Sequence, residues 1–466
     1  MDHAGVSPAP GATFARARRV IDAANRPVDG ASLAVFRIAF GIAMAVATAR
    51  FFTHGWIAAD YIAPKVFFHY WGFEWVRPWP GAGMYVHYGV LGAAALCVAA
   101  GVFYRAACVV FAVTFTYAHL CDKSNYLNHY YLVSIVAFLL VVVPLDREWS
   151  VRTLLCSRER RPEVRAWMLW LLRFQIGIVY VFGGIAKLGS DWLVHGEPLR
   201  IWLAANAELP VLGPLFDRRW FAIAMSWCGM LFDLSIVPLL SWRRTRRMAY
   251  VVVLAFHTLT GLLFRIGMFP WIMSASATLF FDPSWPRDLL ARLRGGRREA
   301  SAPATSSPAG AALGPAMLVA LLVHALVQIV VPLRHLAYPG NTLWTEEGFR
   351  FAWRVMLIEK SGELELTVVD GDDKRTLVHP REYLTPFQVR MASTQPDMIL
   401  ELAHVVARDF ERRTGGPVRV YADAEVSFNG RARAPMIDPN VDLAAEEDGL
   451  APQRFVLPAP TSAPEF

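Results

Sequence analysis

From residue 32 to residue 333 apolar side chains come in unbroken runs rather than alternating, at roughly 32–49, 84–103, 106–120, 130–144, 167–187, 219–240, 248–264, 269–282 and 315–333. A helix rises 1.5 Å per residue, so about 20 apolar residues cover the ~30 Å hydrocarbon core of a bilayer. These runs, some of them short, predict a polytopic transmembrane helical bundle of about eight or nine spans. Beyond residue 333 the period changes. Glu363 to Asp370 (ELELTVVD) alternates apolar and polar as a strand does, and Asp370-Gly371 is a hairpin turn signal. Residues 395–413 put Ile399, Leu402, Val406 and Phe410 on one helical face, Gly415-Gly416 stops that helix, and Val418 to Phe428 reads as another strand. The expected fold class is therefore mainly α: an N-terminal segment 1–31, a transmembrane helical domain 32–333 and a C-terminal α+β domain 334–466. Residues 299–314 (EASAPATSSPAGAALG) form a small-residue linker before the last span.

Charge gives the bundle a direction. Arginines concentrate in the N-terminal segment (Arg16, Arg18, Arg19, Arg26) and in the loops after the fourth, sixth and eighth runs; the middle loop reads Arg243, Arg244, Arg246, Arg247. With nine spans these segments share one side, and the alternate loops hold scattered Lys and Arg with no cluster apart from Arg218 and Arg219. The positive-inside rule makes the basic side cytoplasmic and leaves the residues after about 334 extracytoplasmic. Composition agrees: 55% of the 466 residues are hydrophobic and only 18% charged, with a mean hydropathy of +0.34, against about 25% charged in soluble domains. The net charge of +7 sits in short loops, so it orients the chain and does not mark a nucleic-acid surface. The five cysteines show no metal-ligand spacing and none follows Cys228, which argues against a zinc site or a disulfide framework. The polar N-terminus has no cleavage pattern, and the first run reads as an uncleaved signal anchor.

Ionisable groups at membrane depth are costly, so each asks for a reason. Under this topology four polar clusters share the outer face: Asp122-Lys123 through Asn128-His129, Phe182 through Trp192, His257 with Phe264 through Pro270, and Trp344 through Met356. Lys187 either snorkels to the interface or is a desolvated amine among apolar walls, able to act as a base. Gly183 and Gly184, one turn earlier, would admit another helix or a flat ligand. His129 is either satisfied by backbone or positions a substrate oxygen. Asn128 either caps the fourth span or meets a ligand carbonyl. Asp122 and Lys123 pair with each other or are secondary site candidates. His257 is a core histidine bonded to a carbonyl or a ligand contact, Arg265 suits a headgroup or an acidic substrate, and Met268 is packing or cofactor contact. No metal box, nucleotide loop or Ser-His-Asp arrangement is present, so the chemistry must rest on acid–base groups and a bound organic cofactor.

The segments Asp122-Lys123-x-x-Tyr126-x-Asn128-His129, Gly184-x-x-Lys187-Leu188-x-x-Asp191-Trp192 and Phe264-x-Ile266-Gly267-Met268-Phe269 resemble, in order and spacing, the signature segments of the vitamin K-dependent gamma-glutamyl carboxylases. Ser284-Trp285-Pro286-Arg287, Trp344-Thr345, Trp353 and Phe428-Asn429 through Ile437-Asp438-Pro439 extend the likeness from about residue 31 to 442. The resemblance is to a bacterial-type member with a horizontally transferred transmembrane domain, residing in the inner membrane with its site and C-terminal domain extracytoplasmic. It implies that reduced vitamin K (a phylloquinone or menaquinone hydroquinone) serves as cofactor, oxygen and carbon dioxide as co-substrates without a metal, and a glutamate-containing peptide as acceptor. Lys187 would deprotonate the hydroquinone and His129 would hydrogen-bond the reacting quinone oxygen, with Asn128, His257, Arg265 and Met268 as cofactor contacts. The chemistry is consistent: a γ-proton of glutamate is too weakly acidic for a side-chain base, whose power must be amplified by oxygen chemistry in a dry pocket. Two alternatives stay open, a quinol epoxidase without protein carboxylation and a non-catalytic membrane binding or assembly protein.

Overall fold

The computed structural model describes residues 10–210, 212–264, 266–295 and 307–464. Each apolar run forms helix: α1 (Ala31–Thr53), α2 (Gly83–Ala100), α3 (Tyr104–Leu120), α4 (Asn128–Val142), α5 (Ala166–Ala186), α6 (Arg219–Ser241), α7 (Arg246–Leu263), α8 (Phe269–Ala277) and, after the short α9 (Trp285–Leu293), α10 (Pro315–Leu333). Five of these, namely α1, α2, α5, α6 and α10 continued to Ala337, are long and apolar enough to cross a membrane alone. A sixth results if α4 and Leu145–Leu155 count as one span bent by 61°. The 17 residues of α3 cover about 25 Å, α7 opens on Arg246-Arg247, and α8 has only 9 residues. Length and composition thus support five or six crossings, and a count of eight or nine rests on the apolar runs alone.

The helix α5 is central, with 72% of its apolar window buried, whereas α10 is peripheral at 11%. An amide chain fastens α10 to α5: Gln175 Nε2 donates to Gln328 Oε1 at 3.2 Å, and His324 Nε2 lies 3.0 Å from Gln175 Oε1. At the opposite end from Lys187, ion pairs gather the basic segments. Arg287 reaches Asp29 at 2.9 Å and Glu148 at 3.1 Å, and Arg160 grips the same Glu148 at 2.9 Å. The end of the linker packs there too, with Ala309 N donating to Glu163 O at 2.7 Å; its residues 299–306 lie outside the described residues.

The C-terminal domain is a four-stranded antiparallel sheet of order β2-β1-β3-β4, from β1 (Lys360–Val369), β2 (Arg375–Val378), β3 (Arg419–Phe428) and β4 (Arg431–Pro435). Across it lie α11 (Pro386–Ala392) and α12 (Pro396–Thr414). The helix α12 buries Ile399, Leu402 and Val406, the face expected from spacing, and stops at Gly415 with φ +75°, a left-handed cap that glycine adopts without steric cost.

Two polar seams hold this domain to the membrane half. In the first, Lys123 Nζ lies 3.0 Å from Asp397 Oδ2 and 3.1 Å from Glu401 Oε2, while Gln388 Nε2 donates to Asp122 Oδ2 at 2.8 Å. Asp122 and Lys123 therefore do not pair with each other; each faces the other domain. Burial pushes the Asp122 carboxyl up to about 6. Burial opposes the charge on Asp397 as well, yet Arg350 and Lys123 hold it well below the usual carboxylate range. In the second seam Asp191 accepts from Arg431 at 2.6 and 3.0 Å and from Asn429 at 3.0 Å.

Candidate active site

The last turn of α5 reads Gly183-Gly184-Ile185-Ala186 and delivers Lys187 at the helix C-terminus. Glycine there permits close helix packing: a Cβ on Gly184 would lie 2.6 Å from Leu234 Cδ2 on α6. That approach brings Asp233 beside Lys187. Nζ donates to Asp233 Oδ2 at 2.8 Å and to Gly183 O at 3.2 Å, and sits 5.4 Å from the centre of the Trp192 ring. Both side chains are nearly buried, at 8% and 11% exposure. The expectation of a lone amine among apolar walls is thus corrected to a buried ion pair. Asp233 was missed by sequence reasoning, although a carboxylate inside an apolar run was a signal of its own.

The pair opens on a cavity of about 290 Å³ between α4, α5, α6, α7 and α8. One end is polar, with His129, Tyr180, Lys187, Asp233 and His257; the walls are apolar, with Phe256, Leu259, Phe264 and Phe269 among them. His257 Nε2 lies 2.9 Å from the Tyr180 hydroxyl, so its partner is a side chain and not a carbonyl. Its Nδ1 is buried without a hydrogen-bond partner. His129 is half-buried, with its ring edge-on to Tyr130 at 4.8 Å. Among the described residues no protein group hydrogen-bonds either of its ring nitrogens, which removes the backbone-satisfied reading.

Other expected residues play different parts. Asn128 lines the cavity, but its amide is engaged: Oδ1 accepts from the Tyr126 hydroxyl and Nδ2 donates to Arg354 O, both at 3.0 Å. It does not cap the helix, because Leu127 occupies that position. Met268 lies outside the cavity and borders a separate small void with Tyr61, Tyr88 and His119. Asp122 and Lys123 belong to the domain seam. Arg265 lies outside the described residues.

The C-terminal domain completes the enclosure. Val355 and Met356 line the cavity from its side. They belong to a strap in which Phe351, Trp353 and Met356 have φ of +63°, +56° and +59°, a left-handed backbone that costs about 1–2 kcal/mol for each such residue. The strap persists because it is held at several points: Trp353 is 1% exposed and stacks on Tyr131 at 4.8 Å, and Asn128 grips the Arg354 carbonyl. Strained backbone of this kind concentrates at functional sites.

Comparison with known families matches the HTTM domain over residues 25–285 and the vitamin K-dependent gamma-carboxylase lumenal domain over residues 314–462. No solved structure matches the chain. The membrane part that carries Lys187 and Asp233 is the first of these domains, the part that closes the cavity is the second, and the chain belongs to the gamma-glutamyl carboxylase family.

Proposed function

We propose that this protein is a vitamin K hydroquinone-dependent gamma-glutamyl carboxylase and epoxidase, with Lys187 as base. The observation that carries the reading is the Lys187–Asp233 pair at the polar end of an apolar cavity closed by both domains. A hydroquinone fits such a space: ligand sites are mostly apolar with a few converging polar groups, and the ring nitrogens of His129, engaged by no protein group among the described residues, suit a ligand oxygen. When bound, reduced vitamin K with dioxygen supplies the strong base needed to remove a γ-proton from glutamate. Lys187 would take the hydroquinone proton as its neutral amine, formed when the ion-pair proton passes from Nζ to Asp233 Oδ2 at 2.8 Å. Asp233 is thus a positioning residue that relieves Nζ of its proton. His129 donates a hydrogen bond to the reacting oxygen, Tyr180 fixes the ring of His257, and Phe256, Phe264 and Phe269 keep water out.

The test supplies purified protein with vitamin K hydroquinone, oxygen, bicarbonate and a glutamate peptide, then measures epoxide and carboxylated peptide separately. Both products are expected. Epoxide alone selects the quinol epoxidase reading, and neither product selects a binding protein. In the same assay His129→Ala is expected to lower turnover about 10²–10³-fold, the usual effect of removing one oxyanion donor. Its melting temperature should stay close to that of the parent, because no protein hydrogen bond is lost; a fall in folded yield equal to the fall in activity would assign His129 to packing.

The proposed topology places the site and residues 334–466 outside the bacterial inner membrane. Reporter fusions after Leu333 should be active only with exterior-specific reporters. Activity of a cytoplasm-only reporter there would overturn the orientation.

A further inference from the structure

A second recess lies at the basic end of the bundle, past the C-terminal end of α6, the helix that carries Asp233. It has a volume of about 500 Å³ and is formed by the turn between α6 and α7 and by α9. Arg243, Arg244, Arg246, Arg247 and Arg292 line it, against two carboxylates, Asp282 and Asp288. Both carboxylates sit on Ser284, whose Oγ is 2.9 Å from Asp282 Oδ1 and 2.9 Å from Asp288 Oδ2. Arg246 is occupied in capping α6, donating to Leu240 O at 2.9 Å and Ser241 O at 3.0 Å. Arg243, Arg244, Arg247 and Arg292 are exposed and, among the described residues, have no hydrogen bond or ion pair. Five guanidiniums against two carboxylates leave the recess with an excess of positive charge, which favours an anion.

The rim of the recess says what kind of anion. Beside the recess, Trp242, Met248, Leu289 and Leu293 are 58%, 71%, 46% and 75% exposed. A soluble anion would use the charges and leave those side chains in water. A phospholipid uses both, with its phosphate among the arginines and its acyl chains along the apolar rim, which is the arrangement of an interfacial amphipathic helix. We infer that the recess between the α6–α7 turn and α9 binds the phosphate headgroup of an anionic phospholipid. This site is independent of the reaction at Lys187.

Full-length protein in neutral detergent, titrated with phosphatidylglycerol, phosphatidylcholine or glycerol phosphate, tests this by counting bound molecules with native mass spectrometry. Phosphatidylglycerol should be retained preferentially. The exposed triple variant Arg243→Gln/Arg244→Gln/Arg247→Gln should weaken that binding roughly 100-fold and leave phosphatidylcholine unchanged, since each arginine near an anionic surface contributes on the order of a fivefold factor. Arg292→Gln, at an exposed side chain on α9 that lines the recess, serves as the second variant if the triple one folds poorly, and should lower retention about fivefold. Undiminished phosphatidylglycerol binding in the variants overturns the site, equal retention of phosphatidylcholine overturns the anion preference, and equally tight glycerol phosphate overturns the lipid.

Discussion

Lys187→Ala is expected to abolish epoxide formation and any glutamate carboxylation together, by at least about 10²–10⁴-fold, the usual contribution of a positioned base. The alanine variant carries a second defect, because Asp233 is left as an unpaired carboxylate inside α6. Removing one partner of a buried pair costs about 3–5 kcal/mol, so this variant should melt well below the parent. Lys187→Ala/Asp233→Asn removes the stranded charge and should recover stability without recovering turnover. Lys187→Arg separates the two effects more cleanly. A guanidinium can keep the ion pair with Asp233 but stays protonated at working pH and cannot accept the hydroquinone proton. It should be folded and inactive, and a small added amine should partly restore the alanine double variant. Near-parental turnover by Lys187→Arg would end the assignment of Lys187 as base.

The second large effect is expected at the domain seam. Lys123→Met should destabilise the protein by about 3 kcal/mol, the lower end of the range for breaking a buried pair, because Arg350 still reaches Asp397 at 2.6 Å. Glu401 would keep only His69, whose Nδ1 is 2.8 Å away. The contribution has a defined acid limit. Against the opposing effect of burial, Arg350 and Lys123 hold the Asp397 carboxyl below the usual carboxylate range, so its stabilisation is complete above that range and is lost only as pH falls beneath it. Between pH 5 and 8 the deficit of Lys123→Met from this pair should therefore be constant. The exposed pair Arg419–Asp373, at 51% and 84% exposure, is the control, expected to contribute about 0–1 kcal/mol. Thermal unfolding read from both domains decides it: a Lys123→Met loss no larger than that of Arg419→Ala would show that the seam is not what holds the strap over the cavity.

Much of the fold could be read along the chain because its signals are local. The apolar runs became helices, and the face of α12 followed from the spacing of Ile399, Leu402 and Val406. The strands at 360–369 and 419–428 lie within a few residues of the alternating segments. Lys187, His129, Asn128 and His257 were legible as polar groups in apolar surroundings, and the structure brings all four to one cavity. Their partners were not legible. Asp122 and Lys123 are adjacent in the chain and looked like each other's counter-ions, yet the turn at residues 122–125 sends both side chains to the other domain. Met268 shares a motif with Phe269 but points its contacts into a different void, because the turn that starts α8 separates the two.

What the sequence determined by itself is therefore the inventory: membrane helices, an appended α+β domain, a basic end, and a short set of polar residues that solvation alone makes conspicuous. Hydropathy and periodicity act over one or two helical turns, so they need no knowledge of the rest of the chain. Only the tertiary structure decided that Lys187 meets Asp233, 46 positions away, and that the strap from Phe351 to Met356 closes the space in front of them. Those contacts depend on how two helices cross at Gly184 and how two domains dock, and a charge in a low-dielectric interior is worth whatever its nearest neighbour makes it.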